Sequence, residues 1–323
     1  MKKTACIYTS NTGVGLVSDV DLLQDLLFDY YDIDVIYFEH NINSTSSKDY
    51  VPKEYDVGIY IQEFLPDSLL CNKKNIFFVN EEWLNSTNVK HIRDFDKVIC
   101  KSTFSQQLLA PYNNNVVNCG FISRDKYDSN IPRKDMFLHL GGKSWQKGTE
   151  SVLNIFNKNE LPLTFIQSNK NYDNSDKDKN ITYINTFLDV RELNRLFNTS
   201  TIHLCPSVYE GWGHYLYEAL SVGALVYATR LPMFVEWLDP DLVVFNDCIY
   251  SGVSDNKNDI LFLRKRKNIL HQFGWLVDEE CLENNINAHQ KYLENHDPVK
   301  VRKYFRFLND KNSGTLLNHL LDL

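Results

Sequence analysis

Short apolar runs alternate with helix-forming segments along most of this chain, and this alternation limits the fold more than any other feature of the sequence. A short apolar run suits a strand that is buried on both faces, whereas apolar residues three or four apart suit an amphipathic helix. The run Thr4 to Thr9 precedes a helical pattern around Val20, and a second run, Asp34 to Phe38, follows it. Strand, helix and strand in this order form a parallel crossover unit. The sequence therefore predicts an α/β protein with parallel sheets, with Ser18 as the cap of the first helix.

The alternation occurs in two series, which indicates two domains. A polar stretch from Phe121 to Lys134 separates the series, and a chain of 323 residues is longer than one average domain. We therefore place a first domain at residues 1–130, a second at 131–290 and terminal helices at 291–323. The remaining predicted strands are Val57 to Ile61, Ile76 to Val79, Val98 to Cys100 and Val116 to Cys119 in the first series, and Met136 to Leu140, Leu163 to Gln167, Ile181 to Ile184, Thr201 to Leu204 and Leu225 to Ala228 in the second.

Charge and the amino terminus exclude several classes of protein. A net charge of -8 argues against nucleic acid or an anionic membrane as the main partner. The apolar run after Met1 is too short for a signal peptide or a membrane span, so we expect a cytoplasmic protein.

A strand, a glycine turn and a helix follow one another around Gly211 and Gly213. Ile202 to Leu204 has the pattern of a strand end, Pro206 stops the strand, and the two glycines permit a sharp turn into a helix that begins near His214. The free amides at the start of such a helix attract phosphate. The segment is therefore a candidate anion site.

Two carboxylates flank this turn. Glu210 precedes it, and Glu218 lies about one turn inside the helix. A carboxylate at that place can accept hydrogen bonds from the vicinal hydroxyls of a ribose or a sugar. The alternative is that Glu218 is a solvated helix residue and Glu210 a loop charge favoured by the helix dipole. The glycines and the preceding strand favour the binding site.

The segment Glu210 to Glu218, continued by Ala219 to Val226, resembles the Glu-x7-Glu motif, helix and following strand of the retaining, nucleotide-sugar-dependent glycosyltransferases of family 4 (glycosyl transferases group 1), which have the GT-B fold. The resemblance implies two Rossmann-like domains whose parallel sheets face across a cleft, the first for the acceptor and the second for the donor. It also implies that Glu210 contacts the donor sugar, that the backbone from Gly211 to His214 meets the diphosphate, and that Glu218 binds the ribose.

A second block, Phe137 to Thr149, supports the first. It contains an apolar strand, a glycine turn and two lysines, and a lysine at the carboxyl end of a strand can neutralise a pyrophosphate. The block resembles the family's Gly-Arg followed by Lys-Gly, with Lys147 in the lysine position. Gly142 stands where the family has arginine, and Lys143 comes next. For either lysine alone, a solvated surface charge is the alternative.

Leu138 to Gly148, together with His203 to Glu218, resembles a subgroup of these enzymes found in bacterial and viral genomes, which would place a viral member in the host cytoplasm. The resemblance implies Glu210 and Lys147 as catalytic residues. The implied donor site consists of Gly141, Gly142, Lys143, Lys147, Glu210, Gly211, Trp212, Gly213, His214, Tyr215 and Glu218.

The first domain carries fewer candidates. Gly13 and Gly15 lie between the first strand and the first helix, where a glycine loop can approach a phosphate or an acceptor. An ordinary tight turn is the alternative. Glu82 follows the strand Ile76 to Val79, at the end where ligands bind in parallel sheets. It could orient an acceptor hydroxyl, but the favoured interpretation is that Glu81 and Glu82 are exposed acids that open a helix.

Histidine and cysteine give little further chemistry. His139 and His203 alternate with apolar residues in predicted strands, which favours packing or hydrogen bonding over catalysis. His214, beside the glycine turn, is the candidate for a donor contact. The seven cysteines contain no Cys-x-x-Cys pair, so we expect free thiols, with neither a disulfide framework nor a zinc site.

Two other enzyme classes fit the sequence less well. A GT-A glycosyltransferase needs an Asp-x-Asp at a strand end to hold a metal. Asp32 to Asp34 and Asp94 to Asp96 precede predicted strands, and proline interrupts Asp239 to Asp241, so we interpret all three as turns. A Rossmann dehydrogenase needs a third glycine where Ser18 stands.

The sequence thus predicts a metal-independent glycosyltransferase for glycan biosynthesis, with a nucleoside diphosphate sugar as co-substrate and no other cofactor. The donor base, uracil or guanine, stays open, as does the acceptor, a hydroxyl on a glycan, a lipid or a protein-linked sugar. A lipid acceptor would bring the chain to a membrane surface without a membrane span. The alternative is a catalytically weak nucleotide- or glycan-binding protein of the same fold.

Overall fold

The computed structural model describes residues 2–10, 14–38, 53–84, 88–167, 172, 178–250 and 274–322, which form two units. The first unit comprises the described residues up to Ile122 and those from Asp310 onward, and the second comprises those from Ser123 to Asn309. Each unit contains one six-stranded sheet, and every pair of neighbouring strands in both sheets is parallel. The predicted α/β class with parallel sheets is confirmed.

The sheet of the first unit has the strand order β2-β1-β3-β4-β5-β6. Strand β1 is an interior strand that pairs on both sides, and Ala5 to Tyr8 within it are completely buried. This burial on both faces explains why the strand has a continuous apolar sequence. The elements of this unit are β1 (Lys3–Ser10), α1 (Val14–Leu27), β2 (Tyr31–Phe38), β3 (Tyr55–Ile61), β4 (Asn72–Phe78), β5 (Lys97–Cys100), α2 (Thr103–Leu109) and β6 (Val116–Asn118), with 3-10 turns at Pro66–Cys71, Glu81–Trp83 and Val89–Asp94.

The sheet of the second unit has the strand order β12-β11-β10-β7-β8-β9, and β13 and β14 form a separate antiparallel pair. The elements are β7 (Lys134–Gly142), α3 (Thr149–Asn159), β8 (Leu163–Gln167), β9 (Ile181–Ile184), α4 (Val190–Thr199), β10 (Ser200–Cys205), α5 (His214–Ser221), β11 (Leu225–Thr229), α6 (Pro232–Trp237), β12 (Val243–Asn246), β13 (Cys248–Tyr250), β14 (Trp275–Val277), α7 (Glu279–Asn287) and α8 (His289–Glu294), with a 3-10 turn at Trp145–Lys147. The last helix, α9 (Pro298–Leu321), belongs to the second unit up to Asn309 and to the first unit from Asp310. None of the helices in the described ranges combines the length and apolarity needed to cross a bilayer.

Every strand predicted from the sequence is present, but several local predictions are wrong. Ser18 does not cap α1, because the helix already begins at Val14. Asp32 to Asp34 lies inside β2, near its amino end, and does not precede the strand as a turn. The sequence analysis missed β12 as well as the pair β13 and β14. β13 and β14 have only three residues each, too few for a periodic signal. The apolar run Leu242 to Phe245 does indicate β12, and the prediction overlooked it.

Helix α5 is packed by its whole length into the second unit, and arginines neutralise its carboxyl end. The residues from Tyr215 to Ser221 are all buried. Arg302 Nε donates to the Ser221 carbonyl at 3.1 Å, and Arg133 Nη1 donates to the Val222 carbonyl at 3.0 Å. Positive charge at the carboxyl end of a helix complements the helix dipole and pairs carbonyls that the helix itself leaves open.

Buried polar contacts hold the end of α9 in the first unit. The Asn312 side chain is 1% exposed, and its Nδ2 donates to the Phe121 carbonyl at 2.9 Å. Lys97 Nζ donates to the carbonyls of His319 and Asp322 at 2.7 and 3.0 Å. A lysine that is itself buried therefore pairs the last carbonyls of the helix.

We expect Asn312→Ala to lower the free energy of unfolding by about 1–3 kcal/mol, because it leaves the Phe121 carbonyl without its donor. Asn318→Ala, on the exposed face of the same helix, is the matched control and should change stability by no more than about 0.5 kcal/mol. Equilibrium unfolding in urea measures both values. Equal midpoints for the two variants would contradict this account of the buried amide.

Candidate functional site

The pairing of β7 with β10 brings the two sequence blocks together. The strands are parallel neighbours, with Leu138 opposite His203 and His139 opposite Leu204. Parallel neighbours end at the same edge of a sheet, so the loops that follow them start side by side. The turn Trp145–Lys147 follows β7, and the loop from Pro206 follows β10.

A close backbone contact fixes the distance between these loops. Gly148 has a φ of +67°, and a Cβ at this position would lie 2.1 Å from the Pro206 carbonyl oxygen. The Val208 amide also donates to the Gln146 carbonyl at 2.8 Å. Only glycine combines this left-handed conformation with so close an approach. The turn that carries Lys147 is therefore held directly against the loop that carries Glu210.

Lys147 and Glu210 form an ion pair at this contact. Lys147 Nζ lies 2.5 Å from Glu210 Oε1, and the two side chains are 20% and 12% exposed. Ser207 Oγ donates to the same carboxylate oxygen at 2.7 Å. Because Ser207 has one hydroxyl proton, the Tyr215 hydroxyl, 2.6 Å away, donates in turn to Ser207 Oγ. The carboxylate of Glu210 is thus oriented by a lysine and by a chain of two hydroxyls.

Tyr215 also contacts Lys147 through its ring. Lys147 Nζ lies 3.7 Å from the ring centroid, within the range of a cation–π interaction. Burial raises the pKa of Tyr215 well above its ordinary value, and the nearby Cys205 and Glu210 act in the same direction. The hydroxyl therefore stays protonated and remains a donor to Ser207. Tyr215 is the residue that connects both members of the ion pair.

The glycine turn ends where α5 begins, as the sequence predicted. Gly213 has a φ of +89° and occupies the N-cap position, and an added Cβ would lie 3.0 Å from the ring of Phe234. The first amides of a helix have no partner within it, so this end of α5 offers donors to an anion. His214 is the first residue of the helix. Its Nδ1 lies 3.0 Å from Ser123 Oγ, which also accepts from Trp212 Nε1 at 3.0 Å.

Glu218 lies on the same helix but in a different environment. It is 9% exposed, and burial raises the pKa of its carboxyl above the ordinary value. Lys126, whose Nζ is 3.5 Å from Glu218 Oε1, opposes this shift most strongly, followed by His214. A carboxylate that has a lysine beside one of its oxygens still has lone pairs that can accept hydrogen bonds from hydroxyl groups. The interpretation of Glu218 as a solvated helix residue is wrong.

The buried histidines have structural contacts, as predicted. His139 lies 2.9 Å from both the Leu204 carbonyl and Thr149 Oγ1, so Nδ1 donates to the carbonyl and Nε2 accepts from the hydroxyl. Burial lowers the pKa of His139 and of His203 to about 4. Both rings are therefore neutral at physiological pH.

The remaining candidates of the second unit lie near the same edge. Gly141 and Gly142 end β7, and Gly211 and Trp212 are buried beside the turn. Lys143, next to the missing arginine, is exposed. The sequence reasoning missed Ser207, Ser123 and Lys126, whose contacts depend on how the strands are ordered, so that no local signal marks them.

The candidate residues of the first unit are not placed as the sequence predicted. Gly13 lies outside the described residues. Gly15 stands in the first turn of α1, so it is part of the helix and not of a loop. Glu81 and Glu82 are 1% and 7% exposed, which makes their interpretation as exposed acids wrong. They come shortly after β4, whose last four residues are buried, and burial together with the neighbouring Glu82 raises the pKa of Glu81.

Comparisons with known proteins agree with the architecture. No family model matches the chain, and no curated protein matches its sequence. The solved structure of Anabaena HepE in complex with UDP and glucose is 11% identical, with a TM-score of 0.67 over 99% of this chain and 100% of that chain. A glycosyltransferase from Rickettsia africae is 12% identical (TM-score 0.65; 100% and 98% covered), as is a sucrose-phosphate synthase from Thermosynechococcus elongatus (TM-score 0.63; 97% and 95% covered). At such identities the likeness establishes the fold, two parallel six-stranded α/β units as in GT-B glycosyltransferases.

The variants Gly148→Ala and Gly142→Ala distinguish two effects on stability, that of the close contact with Pro206 and that of the left-handed backbone conformation. Both positions have positive φ, +67° and +57°, so each substitution should cost about 1–2 kcal/mol for a left-handed alanine. Only at Gly148 would the new Cβ also meet the Pro206 carbonyl, which should cost roughly 1–3 kcal/mol more. Thermal unfolding by calorimetry compares the variants. If both lower the melting temperature equally, the loops are not held by this contact.

Proposed function

We propose that the protein transfers a sugar from a uridine diphosphate sugar to a hydroxyl acceptor, with retention of configuration at the anomeric carbon. The observation that carries the proposal is the grouping of Lys147, Glu210 and the amino end of α5, with the buried Glu218 on the same helix. The lysine and the helix amides suit the diphosphate of such a donor. The two carboxylates suit the hydroxyls of its sugar and of its ribose.

In the proposed reaction the bond between the anomeric carbon and the diphosphate oxygen breaks, and its electron pair moves to the diphosphate. The acceptor oxygen bonds to the anomeric carbon, and its proton passes to the leaving diphosphate oxygen. Charge on the diphosphate therefore grows as the bond breaks. Lys147 and the first amides of α5, already fixed before the donor binds, would lower the barrier by stabilising that charge.

The two carboxylates take different roles in this proposal. Glu210 is oriented by Lys147 and Ser207 and would hold the hydroxyls of the donor sugar. Glu218 is buried behind the turn and would accept hydrogen bonds from the two ribose hydroxyls. We propose uracil as the base because Anabaena HepE, which has the same fold, binds UDP. The acceptor, in this proposal, is a hydroxyl of a glycan or of a lipid- or protein-linked sugar.

A second candidate function is nucleotide or glycan binding without efficient turnover. Gly142 at the arginine position and the exposed Lys143 favour it, because they leave one fewer buried cation for the diphosphate.

Incubation of the pure protein with UDP-glucose, UDP-galactose and UDP-N-acetylglucosamine distinguishes the two candidate functions. A transferase should release UDP slowly even with water as acceptor, and proton NMR should first detect the sugar anomer with the configuration of the donor. Binding without any release of UDP would favour the second candidate, and release of the opposite anomer would contradict retention.

We expect Lys147→Ala to reduce turnover of the sugar donor by roughly 100- to 1,000-fold, the typical effect of removing one positioned group that stabilises the transition state. Lys143→Ala is the matched control and should have a much smaller effect, because Lys143 is exposed and outside the ion pair with Glu210. Initial rates of UDP release at saturating donor measure both. A larger loss in Lys143→Ala would mean that Lys143 replaces the arginine of related enzymes.

Turnover should survive exhaustive chelation with EDTA, because Lys147 and the amides of α5 supply positive charge where other transferases use a metal. The assay compares sugar transfer after chelation with transfer after addition of magnesium or manganese. A modest gain with either ion is consistent with faster release of UDP. Complete loss on chelation, restored by metal, would contradict this mechanism.

A further inference from the structure

We propose that Lys126 is a positioning residue that keeps the Glu218 carboxylate ionised and oriented toward the ribose hydroxyls, and so sets the lower pH limit of nucleotide binding. This inference rests on the proposed function, since it deepens the role of Glu218 in the donor site. Lys126 belongs to neither sequence motif and lies within the polar stretch that the sequence suggested as a linker.

The backbone of Lys126 is fixed on both sides. Its amide donates to Ser221 Oγ at 2.9 Å, and its carbonyl accepts from Asn198 Nδ2 at 2.7 Å. Ser221 is completely buried at the end of α5, and Asn198 is 4% exposed near the end of α4. Ser221 Oγ also donates to the carbonyl of Glu218 at 2.7 Å. The same serine therefore ties Lys126 to the helix that carries Glu218.

The side chain of Lys126 extends to the carboxylate. Its Nζ lies 3.5 Å from Glu218 Oε1 and 3.3 Å from Asn194 Oδ1, and the side chains of Lys126 and Glu218 are each only 12% exposed. The ring of Phe197 lies beside the ammonium, with its centroid 5.8 Å from Nζ. Such burial and such fixed neighbours distinguish the pair from a surface ion pair, whose side chains are free to separate in water.

The charge of Lys126 opposes the effect of burial. Burial raises the pKa of Glu218, while Lys126 first, then His214 and Arg124, favour the ionised form. His214 comes from α5 itself, and Arg124 from the same segment as Lys126. Without Lys126 the pKa of Glu218 would rise further, because burial would then meet less opposition. The carboxyl would consequently become protonated at a higher pH.

Protonation matters because a ribose presents two hydroxyl donors. An ionised carboxylate only accepts hydrogen bonds, and hydrogen bonds to a charged acceptor are stronger than those to a neutral one. A protonated Glu218 would also present its own hydroxyl to the ribose. Nucleotide binding should therefore weaken as the pH falls through the pKa of Glu218, and this loss should begin at a higher pH when Lys126 is absent.

The first test measures Glu218 directly and needs no ligand. In full-length protein labelled with carbon-13 in glutamate, the side-chain carboxyl resonance of Glu218, assigned with Glu218→Gln, is followed against pH. Lys126→Met should raise the pKa of Glu218, whereas Lys126→Arg should leave it near the wild-type value. Lys158→Met, which removes an exposed lysine paired with Glu283, is the control for loss of one charge. Lys126→Gln repeats the test if the methionine variant does not fold. An unchanged pKa in the variants without the charge would overturn the inference.

The second test follows UDP affinity by calorimetry between pH 5 and about pH 9. The UDP affinity of Lys126→Met should begin to fall at a higher pH than that of wild type. Between the two falls the variant should bind UDP on the order of tenfold more weakly, and the difference should shrink as the pH rises. Lys126→Arg and Lys158→Met should behave as wild type. If UDP binds wild type and Lys126→Met equally at every pH, the inference is wrong and the proposed function stands. If UDP binds none of them, the proposed function is wrong and the inference falls with it.

Discussion

The close approach of Gly148 to the Pro206 carbonyl is the constraint on which the candidate site depends. It brings the turn after β7 against the loop after β10 at a distance that no side chain other than hydrogen permits. The ion pair of Lys147 and Glu210 joins these two loops, whereas the hydroxyls of Ser207 and Tyr215 orient Glu210 from within the segment that follows β10. The geometry of the site is therefore a consequence of strand order and of one glycine.

The two ends of helix α5 have different partners, and this difference determines what surrounds Glu210 and Glu218. Arg302 and Arg133 bind carbonyls at its carboxyl end, which leaves the amides at its amino end, beside Gly213, as the positive end of a fixed dipole. Glu210 precedes this end and is paired with a lysine, whereas Glu218 lies within the helix and is buried. The turn before α5 and the helix itself thus carry two carboxylates in different environments, close to helix amides of the kind that attract anions.

Eleven of the twelve strands in the two sheets, and the turn before α5, were predicted from the sequence, because buried parallel strands have continuous apolar runs and a positive φ needs glycine. The start of α5 at His214 was predicted correctly for this reason. Contacts between distant segments could not be predicted. Neither the pairing of Lys126 with Glu218 nor the donation from Ser207 to Glu210 has a signature in residue spacing. The prediction that Glu81 is exposed is wrong, because acidic residues are usually exposed whereas this one lies shortly after the buried end of β4 and is itself buried.

The most direct test of the account is a crystal structure of the protein with UDP bound. We expect the diphosphate at the amides that begin α5 and beside the Lys147 ammonium, and the ribose hydroxyls within hydrogen-bond distance of Glu218. UDP bound elsewhere in the second unit, with Glu218 still paired only with Lys126 and no phosphate near His214, would contradict it.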